Sequence, residues 1–128
     1  MSDLLSRVLA ATGPDRGLFI EVMRALGINA QWREDNGKAA NDDALLWERV
    51  VDLADNDASL DAARALRDRV PWIVGTKIVE RDGSCDVHVW GEDDAGIDII
   101  SERDDNQVAL ALIAAILKAK EARDGGVV

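Results

Sequence analysis

Cys85 and His88 are the one cysteine and the one histidine of this 128-residue chain, so thiol-type nucleophilic catalysis has a single candidate pair. A thiolate needs a base within hydrogen-bonding reach. The two residues sit three apart in SCDVHVW, an alternating polar and apolar run that reads as a β-strand. Side chains three apart on a strand project from opposite faces, so the spacing predicts a packed thiol and a separate imidazole, not a dyad. The same scarcity of Cys and His argues against a structural zinc site, which is built from four such ligands.

Carboxylates are abundant, and two groups of them have spacing to test. Asp55, Asp57 and Ser59 begin like a calcium-binding loop. The sixth position is Leu60 where glycine is needed, and the twelfth is Leu66 where a carboxylate is needed, so that match fails. Glu92, Asp93, Asp94 and Asp98 could chelate a hard cation such as Mg²⁺ or Ca²⁺, although no motif fixes their geometry. A metal-dependent enzyme built on this acidic loop is therefore one alternative reading. No GxxxxGK[ST] or GxGxxG string occurs, so phosphate cradling has no support. The number of Asp and Glu residues does not by itself make a general acid and base pair. The expectation is a chain with no catalytic residues and no cofactor, not an enzyme.

Charge narrows the partners. Twenty-five acidic residues against fifteen basic ones leave a net charge of −10, which argues against direct contact with nucleic acid or anionic lipid. Asp86, Glu92, Asp93, Asp94, Asp98, Glu102, Asp104 and Asp105 face only one base, Arg103, in the interval they span. Such a stretch is either a solvated edge kept soluble by charge or a surface complementary to a basic protein. Trp47 and Trp72 follow apolar periodicity and read as core. Trp90 shares a strand face with Asp86 and His88 beside the acidic run, where it is placed to anchor an interface. Asp86, Trp90, Glu92, Asp93, Asp94 and Asp98 are accordingly the expected partner-binding set, and the expected partner is a protein with a basic surface.

The elements that must hold these residues are legible as periodicities. Residues 106–122, NQVALALIAAILKAKEA, carry apolar groups around most of a helix circumference, so this helix must be covered on nearly all sides. At about 1.5 Å per residue it is too short and too Ala-rich for a membrane span. Two extended runs, 72–80 and 85–91, joined through Arg81-Asp82-Gly83-Ser84, read as a hairpin, and 97–101 reads as a third strand. Upstream, Ser2 is a candidate cap for a first helix, and Gly13-Pro14 separates it from a second that ends at Gly27. Asn41 is a candidate cap for a third helix ending at Asp55-Asn56-Asp57, and Ser59 for a fourth closed by Pro71. The class expected is α+β, with helices flanking a small antiparallel sheet as an α/β/α sandwich and a helical pair attached at the N-terminus. Residues 1–57 read as a helical extension and connector, and 58–124 as the sandwich domain. The stripes of the first two helices cannot stay wet, so they must dock on the sheet domain or on another chain. A homo-oligomer through Leu4, Val8, Phe19 and Met23 is the form the second choice takes.

Residues 4–16 (LLSRVLAATGPDR), 58–66 (ASLDAARAL), the Trp-bearing hairpin and 109–122 (ALALIAAILKAKEA) together resemble a family of small bacteriophage and prophage proteins. Their C-terminal part is similar to the phage ABA sandwich domain. The resemblance implies a sheet between helices and a phage or prophage origin. It departs at residues 29–57 and 92–105, and it carries over no activity, cofactor or functional residue. A lone cysteine and an N-terminus without a leader-like pattern point to a reducing cytoplasm, the host's if the chain is phage-encoded. The function expected is non-enzymatic protein binding by a phage-derived accessory protein, in its sharpest form an acidic inhibitor of a host nucleic-acid-binding or defence protein. A virion or assembly component is the structural rival.

Overall fold

The computed structural model describes residues 3–13, 16–28, 42–70, 72–91 and 98–125. Five helices and three strands follow in the order α1 (Asp3–Ala10), α2 (Arg16–Ala25), α3 (Asp42–Asp55), α4 (Ser59–Asp68), β1 (Gly75–Arg81), β2 (Ser84–Trp90), β3 (Asp98–Arg103) and α5 (Val108–Gly125). The α+β class, with helices against a small antiparallel sheet and a helical pair at the N-terminus, is what the chain adopts. Ser2, Pro14, Trp32, Asn41, Pro71 and the acids Glu92, Asp93 and Asp94 lie outside the described residues.

Every residue of α5 from Val108 to Leu117 is buried. That follows from its composition: with no polar stripe it has no side to offer to water. One flank of α5 lies on β2 and β3, and the other takes α4 and α1. The strands pair in the order β1-β2-β3, all antiparallel, with Arg81 opposite Ser84 across the turn and Trp90 between Gly75 and Asp98. Gly83 supplies the positive φ of 83° that the two-residue turn requires. Cys85, Val87 and Val89 are fully buried under α5, while Asp86, His88 and Trp90 point the other way.

The layers stack in an order that the helix count alone does not dictate. An α/β/α sandwich needs a helix on each face of the sheet, but α4 packs on α5 itself. Its Arg67 Nε donates to Thr76 Oγ1 at 2.9 Å, and Thr76 shares the α5 side of the sheet with Ile78, Val87 and Val89. Both helices therefore lie on one face. The opposite face carries Lys77, Arg81, Asp86, His88 and Glu102, charges and polar groups whose desolvation a covering helix would have to offset. Among the described residues no helix covers it.

α1 docks on α5 and α2 on α3, so the N-terminal stripes are consumed inside the chain. Of the four residues assigned to an oligomer, Val8, Phe19 and Met23 are fully buried in one continuous core that runs from Leu5 to Ala119, and Leu4 packs against it partly buried. An oligomer would have to use other side chains. α2 ends in a Schellman turn: Gly27, at φ 76°, donates its N–H to the Arg24 carbonyl at 3.1 Å, and Ile28 donates to Met23 at 3.1 Å. Trp72 falls before β1 rather than within it and carries the Arg123 guanidinium 4.9 Å above its ring.

Ser59 does not cap α4. The cap position is Ala58, without a side-chain hydrogen bond, because the joint between α3 and α4 is only three residues long and Ala58 N–H is used to close α3 on the Leu53 carbonyl at 2.8 Å. Asp57, at φ 58°, occupies the left-handed position of that turn. Glycine reaches this conformation without the Cβ penalty, so Asp57→Gly is expected to stabilise the fold by about 0.5 kcal/mol, read as a rise in the urea midpoint.

Candidate functional site

The uncovered face of the sheet has three rungs set by the strand register. Gly75, Trp90 and Asp98 form the first, Lys77, His88 and Ile100 the second, Val79, Asp86 and Glu102 the third. Period-two alternation puts them there, since each is two residues from the next on its strand. Three of the six expected partner-binding residues, Asp86, Trp90 and Asp98, are thus brought to one surface. Glu92, Asp93 and Asp94 lie in the stretch between β2 and β3, outside the described residues.

Trp90 is the fixed feature of this face. A Cβ on Gly75 would come within 2.1 Å of the indole, so the absence of a side chain there makes the slot in which the ring lies. The His88 ring packs against it, centroids 4.9 Å apart and planes tilted by 52°. His88 Nε2 in turn donates a hydrogen bond to Asp98 Oδ1, which ties β2 to the first residue of β3. Arg81 pairs with Asp86 on the same face. Ile100 beside them is 55% exposed and Trp90 36%, an aromatic and an aliphatic group held open to solvent among charges. Lys77 and Glu102 are exposed and have no ion-pair partner among the described residues.

The thiol and the imidazole do not meet. Cys85 is buried under α5, where burial first and then the Asp105 carboxylate push its pKa up, away from thiolate character. His88 lies on the far side of the sheet. Among the described residues no three Cys, His, Asp or Glu side chains cluster as a metal site would require.

The lone base of the acidic stretch has a role that composition concealed. The Arg103 side chain is 8% exposed, on the α5 side of the sheet. Its guanidinium is bidentate with Asp105, at 2.8 and 2.9 Å, and also donates to the carbonyls of Val8, Leu9 and Ala11 at 3.3, 3.4 and 2.6 Å. Those carbonyls lie at the end of α1, where only the Val8 oxygen has a further donor among the described residues, the Ala11 N–H at 3.3 Å. Asp105 Oδ1 accepts a further bond from Gln107 N–H at 3.1 Å, just before α5. The Arg103 hydrogen bond holds the Asp105 carboxyl at about 2, well below its ordinary value, and Arg103 is correspondingly raised by Asp105. Arg103 and Asp105 are thus a joint between α1, β3 and α5, not part of a solvated run.

Two other features draw the eye and need no ligand. Arg69, Lys120 and Arg123 line a cavity of about 140 Å³ between the ends of α2, α4 and α5. Cations belong at helix C-termini, so their gathering here follows from the convergence of three such ends. Ser101, on the α5 side of β3, is fully buried, and its hydroxyl has no hydrogen-bond partner among the described residues. Ser101→Ala removes that penalty and is expected to raise stability by about 1 kcal/mol, measurable by chemical denaturation.

Set against models of known protein families, curated proteins and solved structures, the chain matches none of them.

Proposed function

We propose that the chain is a non-enzymatic protein-binding module whose docking surface is the uncovered face of the sheet. The observation that carries this reading is the pairing of an exposed Trp90 and Ile100 with Asp86, Asp98 and Glu102 on a face that no described helix covers. Aromatic and aliphatic groups anchor interfaces, and the carboxylates around them set orientation and partner charge. The partner presents a basic surface. The resemblance of residues 4–16, 58–66 and 109–122 to small phage and prophage proteins supports an accessory protein of that origin, acting in the host cytoplasm. Its sharpest form is an inhibitor that occupies a basic groove of a host nucleic-acid-binding or defence protein in place of phosphates.

The test is capture from host lysate at low and high salt, followed by variants. Capture should weaken as salt rises, because exposed charge pairs are screened. Changing Glu92, Asp93, Asp94 and Asp98 together to Gln or Asn should weaken binding at least tenfold, with the melting temperature nearly unchanged. Trp90→Ala should cost about 2 kcal/mol of binding, as anchors of this type do. Unchanged capture in both variants would remove the proposal.

A further inference from the structure

The uncovered face is polarised across its strands. β1 contributes Lys77 and Arg81 to it, β3 contributes Asp98 and Glu102, and the apolar groups Trp90 and Ile100 lie between or beside them. Arg81 is engaged with Asp86, but Lys77 and Glu102 are exposed and have no ion-pair partner among the described residues. They do not pair with one another: two inter-strand spacings, about 10 Å, separate their strands, and the β2 side chains lie between them. An unpaired cation on one edge and an unpaired carboxylate on the other make a surface that is its own electrostatic complement.

We infer that this face, when it holds no basic partner, takes a second copy of the chain, stacked sheet to sheet about a two-fold axis that runs along the strands. The inference rests on the reading of this face as a docking surface. Such an axis keeps each rung at its height and exchanges β1 with β3. Lys77 then lies over Ile100 of the second copy, one rung from Asp98 on one side and one rung from Glu102 on the other, within the reach of a lysine side chain. Trp90 meets its own counterpart near the axis, where two indoles bury each other's exposed area. Three strands of six or seven residues offer roughly 15 by 20 Å of surface, about 600 Å² over both copies, which is less than a standard specific interface buries. Association is therefore weak, with Kd on the order of 100 µM. At physiological ionic strength a screening length of about 8 Å leaves these contact pairs in force while damping the mutual repulsion of two chains of charge −10.

Sedimentation equilibrium of the full chain from about 10 µM to 1 mM, at physiological salt, decides the matter. The average mass should rise from one chain towards two. Lys77→Glu should raise Kd at least tenfold, and Glu102→Lys should do the same. An equimolar mixture of the two variants should associate within about threefold of the unaltered chain, since each supplies the charge the other now needs. Both substitutions are at exposed, unpaired positions, and circular dichroism checks that each variant folds. A single-chain mass throughout the range overturns the inference. So does a dimer indifferent to both charge reversals and to Trp90→Asp, which would place the contact elsewhere. A monomer whose capture of a basic partner still depends on Trp90 overturns the second copy as occupant while leaving protein docking on this face intact.

Discussion

Arg103→Met is expected to cost about 3 kcal/mol of folding stability, a large share of what a domain of this size has. The substitution keeps the aliphatic stem and removes the donors. The carbonyls of Leu9 and Ala11 then lose their Arg103 donor, and that of Val8 keeps only the Ala11 N–H, in a site where the Arg103 side chain is 8% exposed. Arg103→Lys should recover little, because a point charge cannot fork to both carboxylate oxygens and the carbonyls at once. The same joint makes a prediction about acid. Asp105 has its pKa lowered to about 2 from an ordinary 3.8, chiefly by the Arg103 hydrogen bond. A depressed carboxyl contributes stability that is fully present above its unfolded value and is lost as pH falls through the folded one. Wild type should therefore lose this contribution between about pH 4 and pH 2, and the stability gap to Arg103→Met should narrow over the same window. Urea denaturation at pH 6, 4 and 2.5 measures both effects. A gap independent of pH would show that the ion pair adds nothing beyond the carbonyl contacts.

Ile113→Ala should be as damaging for a different reason. Ile113 is fully buried in the middle of α5, the helix that carries the sheet on one flank and α1 and α4 on the other. Removing three carbons there loses transfer free energy and leaves a cavity that neighbours on both flanks are too constrained to fill, at about 3–4 kcal/mol. Thermal melting should move down by roughly 10 °C or more for a chain of this length. An isosteric Ile113→Leu, which conserves volume, should stay within about 1.5 kcal/mol. A mild effect for both would mean that α5 is not the common support of the two layers.

Much of this architecture could be read from spacing. The unbroken apolar surface of α5, the alternation in SCDVHVW and the Asp82-Gly83 turn each specify local structure through nearest neighbours alone, and each formed as periodicity requires. The opposition of Cys85 and His88 needed only the pleat. Asp86 and Trp90 were placed on one face by the same alternation, and Asp98 joined them once the register of β3 was set.

What spacing could not supply was pairing between distant segments. Ser59 looks like a cap, but the three-residue joint spends the cap position on closing α3, a conflict visible only when both helices exist. Arg103 looked like a stray base among acids. Its partners are Asp105, two residues away, and carbonyls more than ninety residues away, and hydrogen bonds to backbone leave no mark on the side-chain sequence. The location of α4 on α5 rather than across the sheet was likewise a tertiary decision. Local pattern dictates which face of each element must avoid water, because that depends on the order of residues along the chain. Which neighbour does the covering, and hence which face of the sheet stays open, depends on how buried area and desolvated charge balance over the whole fold.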